Sequence, residues 1–276
     1  MSKTNEQGNL ISIEDFKTRR NFLRFSAVVG TGFLLASCSG PTRPNSESAP
    51  ANRSTASNSI DSKENDEDKD KDQDEEVGAV EDLMREHGVL RRALLVYDAA
   101  VRQLRTKPAD VPPDALQKTA KLFRAFGEDY HESKLEEAYI FPAVKNTQGP
   151  AASLPDILVV QHQRGREVTD YILSMTQGAK LGVASSEQLA RTLEAFVLMY
   201  QHHAAREDTI LFPAWKKTMN DSQLEDIGDK FEDIEREQFG GDGFDDAVKQ
   251  IAEIETQMAI NDISQFTPPS LAKNDK

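Results

Sequence analysis

The chain has 276 residues, a single cysteine, five histidines and a formal net charge of −14. One cysteine excludes an intramolecular disulfide framework and any thiolate-bound zinc or iron–sulfur cluster. The acidic balance argues against a nucleic-acid partner, which would require a patch of Lys and Arg.

The charge is uneven. Residues 61–76 hold ten acids and three lysines, half of the net charge of the whole chain. Ahead of them, Thr18-Arg19-Arg20-Asn21-Phe22-Leu23-Arg24 precedes an apolar run from Phe25 to Ala36. That run is shorter than the roughly 20 residues needed to cross a bilayer and has the character of a signal h-region. TRRNFLR resembles a twin-arginine export signal. Leu35-Ala36-Ser37-Cys38 resembles a bacterial lipobox, which implies cleavage before Cys38 and its acylation. Residues 1–37 are then an export signal, and Cys38 is a lipid anchor that places the protein on the periplasmic or outer face of a membrane. Residues 38–76 are Ser, Asn, Pro, Asp, Glu and Lys with almost no large apolar group. They cannot bury enough surface to offset the entropy of ordering, and are expected to form a disordered acidic tether.

From residue 77 the pattern is helical. Val80, Leu83, His87, Leu90 and Leu94 follow 3–4 spacing, which predicts helix A over about 79–105. Lys107-Pro108 ends it. Helix B is expected from an Asp114 cap to about 146, broken by Gly149-Pro150. Helix C is expected from Leu154 to about Gly178, and helix D from a cap at Ser185 or Ser186 onward. Asn220-Asp221-Ser222 starts a fifth helix to about Phe239, and a sixth covers about 245–260. No segment alternates with period 2. Four long helices with short connectors imply an all-α domain over 77–276, an antiparallel up-and-down four-helix bundle with two extra C-terminal helices.

All five histidines fall on the four long helices: His87 on A, His131 on B, His162 on C, His202 and His203 on D. Helices B and D also carry an internal repeat. YHESKLEEAYIFPA (130–143) aligns with QHHAAREDTILFPA (201–214), matching Glu136 to Glu207, Glu137 to Asp208 and Phe141-Pro142 to Phe212-Pro213. Each of these helices therefore brings a histidine and a carboxylate at the same height. Glu132 and Glu136 share one face, as do His203 and Glu207. Glu207 faces the way the core residues face, and a buried carboxylate needs a partner such as a metal ion. Glu132, Glu137 and Asp208 are left open between metal ligands and surface charge. Imidazoles and carboxylates from several helices of one bundle are a standard way of holding two metal ions.

The stretches around His87, His131, His162 and His203 resemble the hemerythrin-like, HHE cation-binding family over about residues 79–269. The resemblance implies a non-heme diiron centre, with manganese or zinc as other candidates for the same donors. Its ligands would be His87, His131, Glu132, Glu136, His162, His203 and Glu207. Two positions depart from the family pattern. His131 and Glu136 are five residues apart where four is usual, a difference that a π-bulge absorbs. Where the oxygen carriers place a second histidine on helix C, this chain has Arg166, with Gly165 beside it. One iron is then short of a nitrogen ligand. Three functions follow as expectations: binding or sensing of O2, NO or peroxide, or the handling of iron; an enzyme turning over peroxide or NO, with Tyr130, Tyr139 or Tyr200 as a redox neighbour; or a metal-free helical interaction module.

Overall fold

The computed structural model describes residues 77–178, 181 and 183–271. The expected signal, the acidic tether and Cys38 lie outside the described residues. The domain is all-α, with no strand among the described residues. No described helix is long and apolar enough to cross a membrane.

Helix α1 runs Ala79–Thr106. It stops at Lys107, whose φ of −145° and ψ of 66° are those of a residue excluded from helix by the following Pro108. Helix α2 spans 113–145 in three parts: α-helical Pro113–Leu122, π-helical Phe123–Ile140 and α-helical Phe141–Lys145. Pro112, not Asp114, precedes its first turn, because proline at the first helical position gives up an N–H that would be unpaired anyway. Gly149, at φ 101°, turns the chain in a conformation that favours glycine. Helix α3 is Leu154–Met175.

Helix α4 spans 183–216: α-helical Val183–Arg206, a π-turn at Glu207–Leu211 and α-helical Phe212–Lys216. It begins at Val183, so Ser185 and Ser186 lie inside its first turn instead of capping it. Helix α5, Asp221–Phe239, starts with a reciprocal cap: Asn220 Oδ1 accepts from Gln223 N, and Gln223 Oε1 from Asn220 N, both at 3.0 Å. It ends at Gly240 in the left-handed region. Helix α6, Gly243–Gln257, starts two residues earlier than expected, because Asp242 accepts from Asp245 N and caps it there.

Helices α1 and α4 pack along their length, and α2 packs on α3. Helices α5 and α6 pack on α1 and α2. Arg92 on α1 grips Glu255 on α6 with two hydrogen bonds of 2.8 and 2.6 Å. Between the long helices lies an aromatic core: Tyr97 and Phe123 each meet Phe196 edge-on, and Phe123 meets Tyr200 the same way. Trp215 stacks on Phe231, tying the end of α4 to α5. Each such fully buried side chain contributes about 1.5–3 kcal/mol relative to exposure. This packing holds α1 to α4 rigidly around one polar cluster.

Candidate metal centre

Two prolines shape the helices that carry the ligands. Pro142 and Pro213 have no N–H and push away the carbonyl a turn earlier. The residue before each proline therefore bonds one residue further back than in an α-helix. Phe141 N donates to Glu136 O, and Phe212 N to Glu207 O. The widened turns thus begin at the two acids most strongly expected to be ligands. On α2 the π-helical stretch extends back through His131. With more than four residues per turn, His131 and Glu136 share a face despite their spacing of five, and their side chains meet at 3.4 Å.

His87, His131, Glu136, His162, His203 and Glu207 converge in the interior, each no more than 3% exposed. Two histidine pairs face one another. His131 Nε2 lies 3.0 Å from His87 Nε2, and His162 Nε2 lies 3.2 Å from His203 Nε2. Each carboxylate spans both pairs. Glu136 Oε1 is 3.4 Å from His131 Nε2, and its Oε2 is 3.4 Å from His162 Nε2. Glu207 Oε1 is 3.0 Å from His203 Nε2, and its Oε2 is 3.5 Å from His87 Nε2. Phe212 stacks on His87 and Phe141 on His162, so the Phe-Pro repeat also walls the cluster.

The other ring nitrogen of each of these four histidines meets an acceptor. His87 Nδ1 lies 2.6 Å from Asp208 Oδ1, and His131 Nδ1 2.6 Å from Glu86 Oε2. His162 Nδ1 lies 2.8 Å from Glu137 Oε1, and His203 Nδ1 2.9 Å from Gln161 Oε1. Nδ1 therefore donates in each ring, and the four Nε2 atoms turn toward the centre. This is the arrangement of metal-bound histidines, whose second nitrogen donates to a carboxylate or carbonyl group.

The buried carboxylates give the clearest test of fit. None of the four oxygens of Glu136 and Glu207 has a hydrogen-bond partner. Each lies 3.0–3.5 Å from an imidazole Nε2. A buried charge so placed needs a positive partner, either a metal ion or a protonated imidazole. Glu136, His162, His203 and Glu207 each bring one donor atom to a common point, as do His87, His131 and Glu136. The donor set, imidazole with carboxylate, suits iron, manganese or zinc.

Protons answer the same excess of negative charge. Burial alone would lower His162, but Glu132, Glu136 and Glu137 outweigh it and push the ring up to about 10. For His131 too, burial is outweighed by Glu136 and Glu86, which hold it well above the usual histidine range. Burial would raise Glu136, yet His131 and His162 hold it well below the usual carboxylate range.

Glu132, Glu137 and His162 also bring donor atoms together, at the edge of the cluster. Glu132 is buried at the edge of the cluster, but Oε1 accepts from Tyr200 Oη at 2.7 Å and Oε2 from Arg166 Nη2 at 3.2 Å. Its nearer oxygen is 3.9 Å from His162 Nδ1. Asp208 and Glu137 stand behind His87 and His162. His202 is exposed and bonds only to Arg206 on its own helix. Tyr130 Oη donates to Glu86. Sequence reasoning missed Glu86 and Gln161, although each immediately precedes a lone histidine, His87 and His162. A cavity of about 10 Å³, room for about one water, adjoins the cluster between Leu90, Leu94, Ala204, Glu132 and Tyr200. The wider groove between α3 and α4, about 740 Å³, contains none of these histidines.

Residues 78–215 match the family model described as the hemerythrin HHE cation binding domain. Three relatives, uncharacterized proteins from Mycobacterium bovis and from two strains of Mycobacterium tuberculosis, are each 42% identical over 193 residues. The match covers 70% of this chain and 74% of each relative. No solved structure matches significantly.

Proposed function

Because the chain belongs to the hemerythrin HHE cation-binding family, we propose that its buried imidazole–carboxylate cluster holds a non-heme diiron centre inside an up-and-down four-helix bundle, with α5 and α6 as additions to that bundle. The observation that carries this reading is the set of wholly buried oxygens on Glu136 and Glu207 that have no hydrogen-bond partner and face the Nε2 atoms of four imidazoles. His87 and His131 would hold one ion, His162 and His203 the other, with the two carboxylates spanning both. Bound there, such a pair would supply one-electron redox chemistry toward O2, NO or peroxide. The chain's own residues orient the four imidazoles through Nδ1 and exclude water with Phe141 and Phe212. The small adjoining cavity, lined by Leu90, Leu94, Ala204 and Tyr200, is where a small ligand would approach the cluster. Metal analysis of purified protein tests the reading: two irons per chain with a ligand-to-metal absorption band support it. Protein that folds without metal and takes up none would sink it and leave the interaction module.

Turnover of peroxide or NO at the same centre is the second reading, favoured by Tyr200, whose hydroxyl meets Glu132 at the cavity wall. Steady turnover that is lost in a folded Glu207→Ala protein separates an enzyme from a carrier or sensor.

The proposal extends to location. The order Arg19-Arg20, apolar run and Leu35-Ala36-Ser37-Cys38 supports twin-arginine export and acylation at Cys38. The domain would then stand off the membrane on the acidic segment 38–76, facing the periplasm or the cell exterior. Cys38→Ser should abolish fatty-acid labelling and release the protein from membranes; unchanged partitioning would refute the anchor.

A further inference from the structure

This inference rests on the reading that the cluster holds two metal ions. Helices α1 and α3 carry a shared pattern: Glu86-His87 with Arg91 four residues on, and Gln161-His162 with Arg166 four residues on. Helices α2 and α4 carry another: Glu136-Glu137 and Glu207-Asp208. Each position plays the same part in both halves. Asp208 accepts from His87 Nδ1 and pairs with Arg91; Glu137 accepts from His162 Nδ1 and pairs with Arg166. The residue before each lone histidine receives Nδ1 of the other ring in that half, Glu86 from His131 and Gln161 from His203.

The inner donors are thus matched between halves, two imidazoles and two shared carboxylates for each. The groups hydrogen-bonded behind the imidazoles match in charge at every position but one. His131 donates to the carboxylate of Glu86, which is 1% exposed, whereas His203 donates to a neutral amide. A carboxylate behind an imidazole makes it a stronger donor to a metal; an amide does so less. Glu132 adds a negative charge to the His162 half, where the matching position on α4 is Ala204. That charge acts on His162 through space, but Glu132 is not hydrogen-bonded to either imidazole of that half, so the difference in the groups directly behind the rings remains. Tyr200 and Arg166 occupy its oxygens, and it is beyond hydrogen-bond reach of His162 Nδ1.

We infer that the two metal positions are unequal: the His87/His131 position is the tighter one, the His162/His203 position is the weaker and exchangeable one, and Gln161 sets the difference.

The test is anaerobic titration of metal-free full-length protein with Fe(II) against a chromophoric chelator. The wild type should show two affinities about 10–100-fold apart, the usual effect of an outer partner on metal affinity. Gln161→Glu should close that gap by strengthening the weaker step, and Glu86→Gln by weakening the tighter one. A wild-type reading needs no variant to fold: protein given one equivalent of iron should show anomalous scattering at the His87/His131 position. Equal occupancy there and at His162/His203 overturns the inference, as does a gap unchanged in folded Gln161→Glu. Failure to bind iron at any concentration overturns the metal reading itself, an outcome distinct from two equal affinities.

Discussion

The hydroxyl of Tyr200 lies against α3 where residue 165 is glycine: a Cβ at that position would stand 2.1 Å from Tyr200 Oη. The absent side chain lets the phenol reach Glu132 at 2.7 Å, on the α2 side of the cluster. Gly165→Ala should therefore destabilise the fold by about 1–3 kcal/mol, the usual effect of overpacking. That exceeds the ~1 kcal/mol an alanine gains as a helix former. Tyr200→Phe removes a hydrogen bond to a buried carboxylate and should cost about 1.5–3 kcal/mol. Because the clash falls mainly on the hydroxyl, the double variant should lose clearly less than the sum. Chemical denaturation of the four proteins checks this, and strict additivity would refute the steric account.

Gly165 shows how much of this site was legible. Its absence of a side chain is plain in the sequence, but the residue that fills the space, Tyr200, is 35 positions away on another helix. The proline and glycine breaks located the helices to within a few residues, because those residues act through local backbone chemistry. The Phe-Pro repeat located both ligand-bearing helices. Its gapless alignment set His131 against His202, one place off, because α2 uses five residues where α4 uses four between ligand histidine and carboxylate. A register change inside a helix leaves no mark in a gapless comparison. Glu86 and Gln161 escaped because their role depends on which ring nitrogen faces which neighbour across helices.

Tyr97 offers a test of packing away from the centre. It is fully buried, edge-on to Phe196, and its hydroxyl has no hydrogen-bond partner. Burial pushes that hydroxyl well above the usual tyrosine range. An orphaned buried polar group costs about 1–3 kcal/mol, so removing it should be favourable. Tyr97→Phe is expected to stabilise the domain by about 1 kcal/mol, read as a higher melting temperature. A loss of stability would show that the hydroxyl has a partner in solution.

Metal removal should leave the two buried acids facing the imidazoles alone. A ligand that binds only the folded state adds stability by mass action, about 2.7 kcal/mol at a free concentration of 100 times Kd. Iron should therefore raise the melting temperature of the wild type, and a chelator should lower it. In Glu136→Ala the increment should vanish, because both histidine pairs lose a shared oxygen. The metal-free variant should be less stable than metal-free wild type, because His131 and His162 lose the buried carboxylate that helps hold their protons. An iron-induced rise in melting temperature that survives the substitution would remove Glu136 from the site.

The proton load on His162 predicts a pH dependence that metal should erase. Its folded value, about 10, lies above the ordinary 6.5. The metal-free protein therefore gains stability from this group that is fully present below about pH 6.5 and lost as pH rises toward 10. Glu128 acts in the same direction lower down: burial pushes it up to about 7, so its contribution is largely gone by pH 8. The interval from pH 8 to 10 thus reports mainly on the imidazoles. Across it, metal-free protein should lose stability faster than iron-loaded protein, because a cation held by the imidazoles would take the place of their extra proton. Tyrosine and lysine titrations are common to both forms and cancel in the difference. Iron added to metal-free protein at pH 7.5 should release protons into weakly buffered solution. Parallel stability curves for the two forms, with no proton release, would show that the imidazoles are not where the cation binds.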